Sequence, residues 1–229
     1  MQSDRTATQT ARRGMKGEDL VAHLRRAIQL GRYVPGQRLV EIDLTEELGV
    51  SRSLLREAFR RLSAEGLLEI VPNRGAVVHR LSLKETMELF QIRIELESLA
   101  ARLAAANCAA PQVRDRFEQD VSEIWQEDVR LSTSAYLIEN EKFHAAVFRA
   151  SGNGQLSLIN RQLQLSLIMA QISASLTPDI MAKSIGEHRN IANAVLNGDV
   201  AAADMAARAH LSRARDFVSQ MHGSVFKSE

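Results

Sequence analysis

A single cysteine, four prolines and an aromatic content of 4% leave this 229-residue chain without several common structural devices. Cys108 cannot form an internal disulfide, which excludes a disulfide scaffold and fits a reducing cytoplasm, where the protein is expected. It lies in an alanine-rich helical stretch and reads as a buried, inert thiol. With so few aromatics, the core falls to Leu, Ile, Val, Ala and Met, and a hydrophobic content of 45% is enough to build one. The shortage of proline, together with long Ala/Leu/Glu/Arg stretches, favours helix. No apolar run approaches the ~18 residues of a membrane span, and no signal-peptide pattern opens the chain, so no membrane partner is expected. There is no internal repeat and no low-complexity tract. Charge of one sign is missing only in net terms. The total is +1, yet residues 1–80 hold 14 Lys and Arg against 10 Asp and Glu, and residues 81–229 hold 15 against 18. A basic first third joined to an acidic remainder suits a DNA-binding end attached to a unit that does not touch DNA.

What is present is organised around residues 41–62. Leu44 and Leu48 mark a short helix. Gly49 stands where that helix ends, because glycine takes positive φ without strain. Ser51 is placed to cap a second helix. On that helix Leu55, Ala58, Phe59 and Leu62 share one face, and Arg52, Ser53, Arg56 and Arg60 share another. An apolar back and an arginine-and-hydroxyl front suit a recognition helix entering a DNA major groove, since Arg and Ser can read bases or hold phosphate. The same pattern fits a solvated basic face.

The following residues favour the first reading. Leu67–Val71 and Ala76–His79 read as short strands around the turn Pro72-Asn73-Arg74-Gly75. Two helices, a tight turn and a hairpin with an arginine at its tip make a winged helix-turn-helix. The wing arginine would reach phosphate or the minor groove.

Residues 1–16 read as a flexible arm, with Arg12, Arg13 and Lys16 able to touch DNA. Residues 18–30 form an amphipathic helix closed by Gly31. From Ser82 the pattern stays helical, with segments at 82–106, 111–131, 134–150, 155–176, 179–196 and 200–221. Six helices with short connections predict an antiparallel bundle. The fold class is therefore mostly α, with a winged helix-turn-helix at 17–80, an all-helical unit at 81–222 and a tail at 223–229.

Three histidines face the wrong way for surface residues. His144 shares a stripe with Tyr136, Leu137, Asn140, Phe143, Val147 and Phe148. His188 shares one with Met181, Ile185 and Val195, and His210 with Ala207, Leu211 and Val218. Buried imidazoles need partners. Three converging ones can hold a divalent ion, zinc or nickel by donor type. They can also be separate, hydrogen-bonded core residues. Arg93, four residues before Glu97, can face a cavity and hold a carboxylate, or form a surface ion pair. A metal-dependent hydrolase is the rival from another class. It lacks an inward acid as general base, and the sequence has no His-Glu-x-x-His.

These residues resemble a known family. Gly49-Val50-Ser51-Arg52-Ser53-Leu54-Leu55-Arg56-Glu57-Ala58, Gly66-Leu67 and Asn73-Arg74-Gly75-Ala76-Val77-Val78 are similar to the DNA-binding domain of GntR-type bacterial regulators. Arg93 with Glu97, Phe143-His144, Ser151-Gly152-Asn153, Glu187-His188, Gly198-Asp199 and His210-Leu211 resemble the helical FCD effector domain of the FadR-like branch.

The resemblance implies a cytoplasmic homodimer acting on a double-stranded operator, as a repressor controlled by a small carboxylate. It implies DNA contacts at Ser51, Arg52, Ser53, Arg56, Arg74 and Gly75. It also implies metal ligands at Asn140, His144, His188 and His210, with Arg93 at the effector; a metal-free effector pocket is the alternative. Two residues depart from the family pattern. Leu54 stands where proline is frequent, and Asn140 replaces a charged Asp, which leaves the metal site one unit more positive and favours an anionic ligand.

Overall fold

A computed structural model describes residues 16–71, 75–126, 132–162 and 165–227, with the side chains of 161–166 outside that description. Residues 1–15 of the N-terminal arm and Arg74, with most of its turn, lie outside the described residues.

The first unit runs α1 (Gly17–Gln29), β1 (Arg38–Leu39), α2 (Glu41–Leu48), α3 (Arg52–Ala64), β2 (Leu68–Val71) and β3 (Gly75–Val78). Gly49 closes α2 at φ 64°, and the Ser51 hydroxyl accepts from Leu54 N at 3.2 Å to open α3. The three strands pair antiparallel in the order β1-β3-β2, with Leu39 opposite Ala76 and Glu69 opposite Val77. Strand β1 was not anticipated, since two residues carry no periodic signal. Gly75 is fixed by its backbone: φ is 89°, and a Cβ there would stand 2.5 Å from the Leu39 carbonyl oxygen.

The second unit comprises α4 (Leu83–Asn107), α5 (Pro111–Asp120), α6 (Thr133–Ala150), α7 (Gly154–Gln162), α8 (Leu165–Ile172), α9 (Pro178–Leu196) and α10 (Val200–Ser219). Ser82 and Glu85 form a reciprocal cap at the start of α4. Two expected helices are shorter than their sequence patterns. The one sought at 111–131 ends at Asp120, where Val121 leaves helical geometry and a 3-10 turn, Ser122–Trp125, follows; residues 127–131 are outside the description. The one sought at 155–176 is present as α7 and α8, and the chain leaves α-helix at Ile172 for a 3-10 turn at Ser173–Ser175.

Two main cores result. Alanines on α4 (Ala100, Ala101, Ala104, Ala105) and on α10 (Ala203, Ala207) are buried against one another, with Phe117, Phe143 and Val195 around them. Small side chains let these long helices approach closely. The other core begins in the winged unit with Leu20, Leu24, Leu55, Phe59 and Leu62, and runs on without a break into Phe90, Leu167, Ile168, Val218 and Phe226. The segment joining the units is pinned. Leu81 N donates to Gln171 Oε1 at 2.9 Å, Gln171 Nε2 donates to Leu81 O at 3.0 Å, and Lys227 N donates to the same carbonyl at 3.0 Å. Phe226, in the segment expected to be a tail, is 4% exposed.

Candidate functional site

Three helices of the bundle each carry one histidine inward. His144 on α6, His188 on α9 and His210 on α10 are buried, and their candidate ligand atoms lie within 4.8 Å of one another. The ring of His188 stacks on Phe143 with centroids 4.2 Å apart. Asn140, one turn before His144, is 3% exposed and lines the same small cavity as His144 and His210. The inward stripes read from the sequence thus converge, as separate core histidines would not.

Carboxylates orient two of the rings. His144 Nδ1 lies 2.6 Å from Glu97 Oε2, and His210 Nδ1 lies 2.8 Å from Glu187 Oε2. An ionised carboxylate only accepts, so each Nδ1 donates, and in a neutral ring held this way the lone pair lies on Nε2. Arg93 completes the first pair, with Nε donating to Glu97 Oε1 at 2.8 Å. Arg213 completes the second, donating to both oxygens of Glu187.

The electrostatics follow from this geometry. Burial opposes ionisation of Glu97, but Arg93 and His144 outweigh it and hold the carboxyl at about 2. Burial pushes the His210 imidazolium below its ordinary value, with Glu187 opposing only part of the effect. Glu187 is held below the usual carboxylate range, because hydrogen bonds from His210 and Arg213 exceed the cost of its burial. A neutral, oriented imidazole is the form that binds metal.

The sequence left part of this open. Arg93 and Glu97 form an i,i+4 pair that is buried, whereas such pairs normally sit in solvent; their side chains are 3% and 5% exposed. The sequence stripes offered no inward acid placed as an obvious general base, yet Glu97 and Glu139 are both buried. Glu97 is nonetheless a poor general base, being held at about 2 and engaged by Arg93 and His144. Arg213, one turn after His210, lines the cavity and had no signal beyond that spacing. Cys108 is buried, and burial raises its thiol, as an inert cysteine requires.

A second surface lies on the winged unit. Arg38, Arg52, Arg56 and Arg60 border a 550 Å³ groove between α3 and the β-strands, with Gly75 at its edge. Ser51 and Ser53 are exposed beside it, their hydroxyl oxygens 3.0 Å apart. Glu41 on α2 accepts from Arg56 Nε at 3.0 Å with each of its oxygens, which steadies that arginine above the surface. Arg38, on the unanticipated strand, is an addition to the residues named from sequence.

Comparison with known proteins decides the family. The model for bacterial regulatory proteins of the gntR family matches residues 16–78, and the FCD domain model matches residues 88–213. The chain belongs to the GntR family. It is a DNA-binding transcriptional regulator with an FCD domain, and its relatives are regulators rather than enzymes. A protein of Paenarthrobacter nicotinovorans described as a probable D-xylose utilization operon transcriptional repressor is 33% identical over 202 residues, covering 86% of each chain. The regulator McbR of Escherichia coli is 28% identical over 128 residues, 56% of this chain and 58% of that one. In structure, Escherichia coli McbR/YncC superposes with a TM-score of 0.77 at 20% identity, over 89% of this chain and 97% of that one. A GntR regulator from Rhodococcus gives 0.69 at 21% identity, over 90% and 98%. These structural likenesses establish a shared fold: a winged helix-turn-helix followed by a helical FCD domain. Among the described residues, no helix is long and apolar enough to cross a membrane.

Proposed function

We propose that this regulator binds a double-stranded operator and changes its affinity when a small organic acid binds at a divalent metal held by Asn140, His144, His188 and His210. The observation that carries this reading is the cluster of three buried imidazoles within 4.8 Å, two of them turned by carboxylates so that a lone pair is presented. That donor set suits zinc or nickel. A bound ion would supply a Lewis-acidic position to an anionic ligand. Asn140 adds a donor without adding negative charge, which favours an anion completing the site. Arg93 and Arg213 line the same cavity; each is paired with a carboxylate, Glu97 or Glu187, and would meet the acid group through guanidinium N–H groups those pairs leave over.

Operator contact is assigned to Ser51, Arg52, Ser53 and Arg56 on α3 and to the wing at Arg74 and Gly75, with Arg38 beside them. Exposed arginines bordering one groove support it. The working form is a homodimer. Ile92 on α4 is 49% exposed, and Leu96, Leu99 and Leu103 on the same helix face are only partly buried, as a face awaiting a second copy would be. Two copies place two α3 helices on two half-sites. The relative described as a xylose-operon repressor favours repression, and makes hydroxylated acids the first effectors to try.

Metal analysis of purified protein tests the assignment. Wild type should carry one divalent ion per chain, and folded His188→Ala should carry far less. Equal content in both would move the acid to a metal-free pocket.

A further inference from the structure

The cavity beside the three histidines measures only about 40 Å³, room for about one water. A carboxylate group fits at its edge, but the body of an organic acid does not. The nearest large space is a cleft of 990 Å³ between the winged unit and α6–α8, within the range of small-molecule sites. Asn140, His144 and Met169 line both spaces, so they form the wall between them. Met169 is the flexible part of that wall, an unbranched thioether able to change rotamer.

The far side of the cleft belongs to the DNA-reading unit, at Ser63–Leu67, where α3 turns into β2. At its margin Glu141, adjacent in sequence to Asn140, accepts from Gln29 Nε2 at 3.0 Å and from Arg26 at 3.5 Å. A molecule beside Asn140 therefore lies next to the contact that joins α1 to α6.

The lining specifies chemistry. Among the described residues, the two arginines that line the cleft already hold carboxylates: Arg25 pairs with Glu65 at 2.7 Å and Arg149 with Asp120 at 3.0 Å. Among those residues a second acid group meets no cation without a carboxylate partner. Gln29, Ser63 and Ser157 offer neutral hydrogen-bonding groups. Asn160 Oδ1 is buried there with no hydrogen-bond partner among the described residues, so it can take a hydroxyl donor.

We propose that this interdomain cleft is the body-binding half of the effector site, taking the uncharged, hydroxylated chain of a monocarboxylic acid whose acid group sits beside Asn140 and His144. The inference rests on the metal–carboxylate reading above. It goes further by making the effector touch the DNA-binding unit itself. Binding then biases the winged unit through contacts that exist only in one arrangement of the two units, which is what coupling requires.

The test is a titration of zinc-loaded protein with hydroxy acids of two, four and six carbons (glycolate, threonate, gluconate), with adipate as a dicarboxylate control. It compares wild type, Ala64→Trp, which fills the cleft from the exposed end of α3, and Ser157→Tyr, which fills it from α7. In wild type, affinity should rise by about tenfold or more from two carbons to six, and adipate should show no such gain. Both fillers should keep zinc and glycolate affinity and lose the gain with length. A gain that survives both fillers overturns the cleft assignment, as does a wild type that binds glycolate and gluconate equally. If no acid binds zinc-loaded wild type, the metal–carboxylate reading falls and takes this inference with it.

Discussion

Glu97 and His144 are 2.6 Å apart on neighbouring helices, both buried, with Arg93 on the other side of the carboxylate. This relay fixes which nitrogen of His144 faces the cluster. It predicts that Glu97→Gln, which keeps the shape but loses the charge, weakens zinc affinity by about 10- to 100-fold. Competition with a chromophoric chelator reads this directly. Unchanged affinity in a folded variant would remove Glu97 from the site.

The same carboxylate predicts a pH dependence. Its folded value, about 2, lies below the ordinary 4.5. The stabilisation is therefore complete above pH 4.5 and is lost as pH falls toward 2. It amounts to on the order of 3 kcal/mol at most. Urea unfolding of metal-stripped protein between pH 6 and pH 2.5 should show wild type losing more stability than Glu97→Gln over that interval. Parallel curves would contradict it.

Much of this arrangement was legible in the sequence. Gly49, Ser51 and the apolar spacing of Leu55, Phe59 and Leu62 announce the helix-turn-helix, because caps and periodicity are local properties. The histidines were legible because a polar residue on an apolar stripe stands out. For Arg93 with Glu97 the sequence left a cavity-facing arginine and a surface pair both open, since an i,i+4 charge pair looks the same in sequence whether it faces water or a core. Strand β1 and the packing of Phe226 depend on long-range partners, Ala76 for one and the Leu81 segment for the other, and leave no local trace.

For the DNA face, Arg52→Ala should weaken operator binding and lower the salt dependence by about one unit of slope if the lost contact is to phosphate. Metal content and thermal midpoint should stay as in wild type, because Arg52 is exposed and outside both cores. Electrophoretic shifts at several salt concentrations measure it; operator affinity equal to wild type would sink the assignment of α3.

Gly75 makes a separate prediction. Alanine there meets the Leu39 carbonyl at 2.5 Å and must hold φ at 89°. Gly75→Ala should cost about 1–3 kcal/mol and loosen the β1–β3 pairing. Thermal unfolding and amide exchange at Leu39 and Ala76 would show it. A midpoint within error of wild type would mean that the strands shift to admit the methyl group.

The central claim is a metal-dependent carboxylate site, and thermal unfolding tests it most directly. Zinc-loaded and chelator-stripped protein are melted with and without a panel of hydroxylated carboxylates. An acid that binds only the native state at 100 times its Kd adds about 2.7 kcal/mol and raises the midpoint. The account predicts that zinc raises the midpoint and that at least one acid raises it further in the loaded protein alone. Identical midpoints with and without metal, and no shift with any acid, would make His144, His188 and His210 ordinary core residues and contradict the account.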